Sequence, residues 1–278
     1  MTKSINIISN GKIINLLNNR RLFLISGPCV VEGEKITLQI AEKIKKITSN
    51  LDIPFIFKAS YKKANRTKGD SFRSIGVQNS LDILKKVREE FHIPVLTDVH
   101  SELEASIAAD YVDILQIPAF LSRQTELLEA AGETGRIVNI KKGQFLSPED
   151  MLFQIKKVES TGNKKILITE RGSSFGYHNL VVDMRSLPIL KSFGYPVVFD
   201  ATHSLQMPSK ENGVSGGTPD LIYPIARAAA AAGVNGIFIE THPNPAKALS
   251  DANSMLPLNK LEPLLKQLKR VHELVTAF

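Results

Sequence analysis

The chain has one cysteine, Cys29, no tryptophan, and 6% aromatic residues among its 278. A lone thiol makes no internal disulfide, which fits a reducing compartment and argues against a secreted disulfide scaffold. No N-terminal apolar stretch has the form of a signal peptide, and no apolar run is long enough to span a bilayer. These absences predict a soluble, cytoplasmic protein with no membrane partner. A basic tail and a zinc finger are also missing. The formal net charge is nevertheless +7 and the sequence pI about 9.3. Because Lys and Arg are dispersed, small anionic substrates explain that balance as well as nucleic acid does.

What is present has a repeated grammar. INIISNGKIIN, residues 5–15, sets Asn10-Gly11 between two apolar runs and predicts an N-terminal β-hairpin. Eight short β-branched or aromatic runs follow: LFLISG, PFIFKAS, PVLTDVH, DILQIPAF, RIVNIKKG, KILITERG, PVVFDATH and GIFIETH. Helical patterns lie between them. One puts Ile36, Ile40, Ile44 and Ile47 on one face; the last puts Leu261, Leu264, Leu268 and Val271 in register. Strands alternating with helices imply right-handed βαβ units and a parallel sheet. Eight such units in about 250 residues is the size of a (β/α)8 TIM barrel. The rival doubly wound sheet lacks its Gly-x-Gly-x-x-Gly turn here. No linker interrupts the pattern, so residues 1–278 are expected to form one α/β barrel domain. SLQMPSKENGVSGGTPD, after the seventh run, reads as a long loop and a candidate lid.

Each run ends in polar side chains: Cys29; Lys58 and Ser60, then Lys63, Asn65 and Arg66; Asp98 and His100; Gln116; Lys141 and Lys142; Glu170 and Arg171; Asp200 and His203; Glu240 and His242. In a barrel these strand ends converge on one mouth. Five cations there, Lys58, Lys63, Arg66, Lys141 and Arg171, would repel one another unless anions filled the pocket. Two anionic groups, such as a carboxylate and a phosphate, suit that density. Cys29, His203 and Glu240 end the first, seventh and eighth runs, which adjoin in a closed barrel. With Asp251 they form a plausible divalent transition-metal site. An inert core cysteine is the alternative, and spacing alone does not choose between the two.

The motifs GPCVVEG, FKAS…KANR, QIPAFLSRQTELL, VNIKKGQF, TERGSSFGYHNLVVDMRSLP, FDATHSLQ and ETHPNPAKALSDANSMLPL resemble those of the 3-deoxy-D-manno-octulosonate 8-phosphate synthases. The resemblance runs from about residue 5 to about residue 265. It implies a (β/α)8 barrel with an N-terminal hairpin, usually a homotetramer. It also implies condensation of phosphoenolpyruvate with D-arabinose 5-phosphate and water for lipopolysaccharide precursor synthesis, and no nucleic-acid partner. By that resemblance Lys58, Ser60, Lys63 and Gln116 contact the phosphoenolpyruvate carboxylate, while Lys141 and Arg171 clamp its phosphate. Asn65 and Asp98 hold sugar hydroxyls, and Arg66 and Thr67 the sugar phosphate. Arg123 is lent to a neighbouring subunit. Cysteine at 29, where the metal-independent branch has asparagine, places the chain in the metal-dependent branch. Cys29, His203, Glu240 and Asp251 would then hold zinc, iron, manganese or cobalt. The catalytic candidates are His203, Asp251, Lys63 and Asn65.

Lys62 departs from the family pattern, which is acidic there, and adds a positive charge near the mouth. The nearest rival is the related enzyme that uses erythrose 4-phosphate. It carries Lys-Pro-Arg-Thr where this chain has KANRT.

Overall fold

The computed structural model describes residues 5–9, 11–17, 21–64, 72–211 and 214–277. Eight parallel strands form a ring: β1 (Phe23–Gly27), β2 (Phe55–Lys58), β3 (Val95–Asp98), β4 (Ile114–Ile117), β5 (Ile137–Lys141), β6 (Ile166–Glu170), β7 (Val197–Asp200) and β8 (Gly236–His242). Each pairs with the next, and β8 returns to β1 with Glu240 opposite Gly27, so the sheet closes. The eight predicted runs are these eight strands. Every strand residue is buried, from the inside of the barrel or from its helical coat. Strands covered on both faces read as unbroken apolar runs.

One helix follows each strand: α1 (Glu34–Asn50), α2 (Val77–Phe91), α3 (Glu102–Ala108), α4 (Thr125–Glu133), α5 (Met151–Ser160), α6 (Ser186–Lys191), α7 (Ile222–Ala231) and α8 (Leu261–Thr276). The predicted stripes face inward. Ile40, Ile44 and Ile47 of α1 are buried with Ile36 packed beside them, as are Leu261, Leu264 and Leu268 of α8 with Val271. Each fully buried Ile or Leu contributes roughly 1.5–3 kcal/mol. Among the described residues no helix is long and apolar enough to cross a membrane.

The hairpin pairs Asn6–Ser9 with Lys12–Asn15, and Gly11 takes the left-handed φ of 72° that its turn needs. Ile5, Ile7 and Leu16 join the core. Ile8 and Ile14 share a cavity of about 700 Å³ with Ile53, Pro54 and His92. Those residues precede β2 and β3, so the hairpin sits at the end of the barrel opposite the strand C-termini.

The segment read as a lid loop differs from expectation. Gln206–Glu211 and Val214–Gly217 form an antiparallel ribbon. Its Gly, Ser and Pro content suggested a loop, yet the sequence carries Asn212-Gly213 between the two strands, the same signal as in the first hairpin.

Candidate active site

The C-terminal strand ends meet as the topology requires. A Cβ on Gly27 would overlap the backbone carbonyl oxygen of Lys58. Glycine there lets β1 and β2 approach closely just before the chain turns to Cys29. Backbone bonds between Cys29 and Ser60, and between Val31 and Ser60, stitch the two exits together.

Cys29, Glu240 and Asp251 offer ligand atoms within 4.8 Å of one another. The thiol donates to Asp251 Oδ2 at 2.9 Å, and its sulfur lies 3.0 Å from Ser250 Oγ. His203 Nε2 lies 3.5 Å from Glu240 Oε2 and 4.0 Å from Asp251 Oδ2. Glu240 Oε2 is buried and accepts no hydrogen bond from a described residue. Burial, then Asp251 and Glu240, push the Cys29 thiol well above its usual range. Burial alone would raise the Glu240 carboxyl, but Lys58, His203 and Lys63 outweigh it and bring it down to about 2. Asp251 arrives from a loop in which it adopts a left-handed φ of 50°. Glu32 braces that loop by accepting the backbone N–H of Leu249 at 3.0 Å.

The cations are partnered more than expected. Lys58 Nζ donates to Glu240 Oε1 at 2.8 Å, to Ser60 Oγ and to the Cys29 carbonyl, both at 3.2 Å, and lies 3.7 Å from Asp98. Lys141 Nζ donates to Asp200 Oδ2 at 2.6 Å and stands 4.1 Å above the centre of the Phe238 ring. Burial opposes ionisation of Asp98, but Lys58, Lys63 and Lys141 hold it far below the usual carboxylate range. Asp200 is held down likewise, with His203 and Lys141 overcoming burial. Burial works against the charge on half-buried Lys63, yet Cys29, Glu240 and Asp251 keep its pKa raised. Mutual repulsion is thus relieved by buried carboxylates before any ligand enters. Arg171 is the exception. Its Nη2 donates to Gln206 at 3.2 Å, but buried Nη1 has no hydrogen-bond partner among the described residues.

Of the residues singled out in the sequence, Cys29, Lys58, Ser60, Asp98, Gln116, His203, Glu240 and Asp251 are joined by these contacts. Lys141 and Arg171 both face Asp200. Lys142 turns away and is anchored on Ser173 Oγ at 2.9 Å and the Leu146 carbonyl at 3.2 Å. Arg123 is exposed, and its carbonyl accepts Lys157 Nζ at 2.9 Å. Asn65, Arg66 and Thr67 lie outside the described residues. Lys62 does not add net charge to the mouth: its ammonium pairs with Glu104, which also accepts from Tyr61 Oη. Sequence reasoning gave Asp200 no role, yet it holds both Lys141 and His203. Its place in FDATH, ending a strand three residues before a histidine, was the available signal.

Cations and carboxylates are costly to bury and are concentrated here where chemistry uses them. The fold and this mouth define a (β/α)8-barrel enzyme. Residues 6–277 match the DAHP synthetase I family, and the chain belongs to it. Over 262 residues it is 52% identical to a protein of Geobacter metallireducens named 2-dehydro-3-deoxyphosphooctonate aldolase, covering 94% of this chain and 96% of that one. The protein of the same name from Trichlorobacter lovleyi is 50% identical over 275 residues, covering 99% and 100%. That from Koribacter versatilis is 53% identical over 259 residues, covering 92% and 93%.

Proposed function

We propose that this chain condenses phosphoenolpyruvate with D-arabinose 5-phosphate and water, yielding 3-deoxy-D-manno-octulosonate 8-phosphate and inorganic phosphate. The observation that carries this reading is the buried Arg171 guanidinium, whose Nη1 has no hydrogen-bond partner among the described residues and which shares the charge of Asp200 with Lys141, a donor set that wants a phosphate. The relatives' shared name supports the choice of reaction.

Lys58, Ser60, Lys63 and Gln116 take the phosphoenolpyruvate carboxylate; Lys141 and Arg171 take its phosphate. Asp98 and Asn65 hold sugar hydroxyls, and Arg66 and Thr67 the sugar phosphate. The enol CH2 carbon attacks the aldehyde carbon and forms the new C–C bond, while the aldehyde oxygen gains a proton. Water adds to the carbon that bears phosphate, and phosphate leaves by C–O cleavage. Charge develops on the aldehyde oxygen and at the carbon bearing phosphate, so positioning and electrostatic stabilisation dominate catalysis. No Schiff base is needed, so neither Lys58 nor Lys63 has to act as a nucleophile. His203 and Asp251 are the candidates to move the water's proton.

We also propose a divalent transition metal as cofactor. Orphaned Glu240 Oε2, the imidazole Nε2 beside it, the Cys29 sulfur and the Asp251 carboxylate fit such an ion in donor type. Asp200 on His203 Nδ1 at 2.9 Å is the outer partner that a metal-bound imidazole has. Bound there, the ion would act as a Lewis acid toward the aldehyde or orient the water.

The working form is proposed to be a cytoplasmic homotetramer of single-domain barrels, with Arg123 reaching a neighbouring site. Phe120 and Phe153 are 57% and 60% exposed on the segments that flank Arg123 and its partner Lys157, which supports a covered surface there.

Phosphate release from phosphoenolpyruvate, assayed with arabinose 5-phosphate, with erythrose 4-phosphate, and with chelator, tests the reading. Release is expected only with the five-carbon sugar phosphate, and chelator should suppress it. Equal or better use of erythrose 4-phosphate would overturn the substrate assignment.

A further inference from the structure

Four consecutive strands and the exit of a fifth contribute buried polar side chains to one line of hydrogen bonds. Thr169 Oγ1 on β6 donates to Asn139 Oδ1 on β5 at 2.7 Å. Asn139 Nδ2 donates to Gln116 Oε1 on β4 at 2.8 Å. Gln116 Nε2 donates to Asp98 Oδ1 at the end of β3, and Ser60, just past β2, donates to Asp98 Oδ2. Register makes the line: Asp98 is opposite Gln116, and Gln116 opposite Asn139. All five residues are buried.

The order of donors has one sense. A primary amide turned over keeps its shape but exchanges donor for acceptor. Asp98, beside Lys58, is a carboxylate and only accepts. Gln116 must therefore turn its NH2 toward Asp98, so its oxygen must accept from elsewhere. Asn139 then has to present its NH2, and its oxygen has to accept. The Thr169 hydroxyl supplies that last donor. Each amide is held at both ends, by an acceptor in front and a donor behind. Gln116 Nε2 has two hydrogens, and only one has a partner among the described residues.

We propose that Asn139 and Thr169 are positioning residues, which fix the Gln116 amide so that one N–H stays directed to the carboxylate of phosphoenolpyruvate. This rests on the reading of Gln116 given above. If Asn139 loses its polarity, Gln116 Oε1 is left unpaired and buried, and only Asp98 still holds the amide, at one end. If Thr169 loses its hydroxyl, the same failure starts one residue further back and is milder.

Binding of phosphoenolpyruvate alone to the full-length protein, measured by calorimetry, tests the proposal. Asn139→Leu should weaken binding about tenfold and Thr169→Val about threefold, the sizes expected for a lost buried hydrogen bond and for an indirect effect. Thr169→Ser keeps the donor and should bind within about twofold of the parent. A structural role alone would lower the melting temperature of Thr169→Val and leave the affinity of the folded protein unchanged; that result overturns the proposal. Should Asn139→Leu fail to fold, the Thr169 pair decides by itself. If the parent binds no phosphoenolpyruvate, the substrate reading falls and this proposal with it. If the parent binds and the variants bind equally well, only the positioning falls.

Discussion

Asp200 grips His203 twice, accepting from ring Nδ1 with Oδ2 at 2.9 Å and from the backbone N–H with Oδ1 at 2.8 Å. The ring is thereby turned so that Nε2 faces Glu240 and Asp251. The same Oδ2 also accepts from Lys141, so one carboxylate orients a cation and an imidazole together. Asp200→Asn removes the charge and keeps the shape. We expect turnover to fall roughly 10–100-fold, the range for outer partners of a metal-bound histidine. Steady-state kinetics with metal content by elemental analysis check this. Full activity with full metal content would show that Asp200 is not needed in either role.

Arg171→Ala should damage phosphoenolpyruvate use severely. A buried phosphate would lose a charge-assisted and potentially bidentate partner, worth about 2 kcal/mol or more, or roughly thirtyfold in kcat/KM. Burial lowers the pKa of this guanidinium, and Asp200, Glu170 and Asp251 counteract that. Unchanged kinetic constants in the variant would remove Arg171 from the site.

Glu104 gathers Lys62, Tyr61 and both the ring and the backbone N–H of His100. Burial would raise its carboxyl, but bonds from Lys62, Tyr61 and His100 lower it to about 2 from an ordinary 4.5. A folded-state value below the unfolded one gives stability that is complete above pH 4.5 and lost as pH falls toward 2. With solvent screening the contribution is about 1–2 kcal/mol. Thermal melts from pH 6 to pH 2 should show the parent losing its advantage over Glu104→Gln across that window. A constant difference at every pH would mean that the linkage lies elsewhere.

The barrel was legible because strands buried on both faces must be continuously apolar, and each of the eight ended in polar or ionisable side chains. The metal-type cluster was legible in part, since closure of the ring alone makes β1, β7 and β8 neighbours. Asn139 and Thr169 were not. Nothing in VNIKKG or LITERG marks an inward polar residue as linked to Gln116; only register across a closed sheet does. Glu104 reads as an ordinary acid in the first turn of α3, and its meeting with Tyr61 and Lys62 depends on how α3 packs over the exit of β2. The ribbon after β7 is masked in the sequence by its glycine, serine and proline, which read as loop, and only Asn212-Gly213 signals a hairpin there.

Arg123 should act across a subunit boundary. It is exposed on its own barrel, on a segment held by Lys157. Arg123→Ala and Lys141→Ala chains should each be inactive alone. Hybrid tetramers should regain part of the parent rate, because some sites combine an intact Lys141 with a neighbour's intact Arg123. No recovery after subunit exchange is demonstrated would place Arg123 outside the neighbouring site.

Cys29 decides whether the four-residue cluster is a metal site. Free of a cation, its sulfur sits in a poor place to ionise: buried, with Asp251 and Glu240 beside it, and its S–H donates a hydrogen bond to Asp251. Asp251 is itself lowered against burial by Lys63 and His203, with the Cys29 bond contributing. A divalent ion would replace that single proton and add one net positive charge beside the two carboxylates, and a thiolate with an imidazole favours a transition metal over magnesium. Cys29→Ala should therefore lose bound metal and most activity together. Cys29→Asn, which imitates the metal-independent branch, should keep some turnover that chelator no longer changes. The readouts are elemental analysis of purified protein and phosphate release with and without chelator. If enzyme stripped of metal, and shown by elemental analysis to be free of it, runs at the full rate, Cys29 is an inert core thiol and the cluster is held together by its own hydrogen bonds.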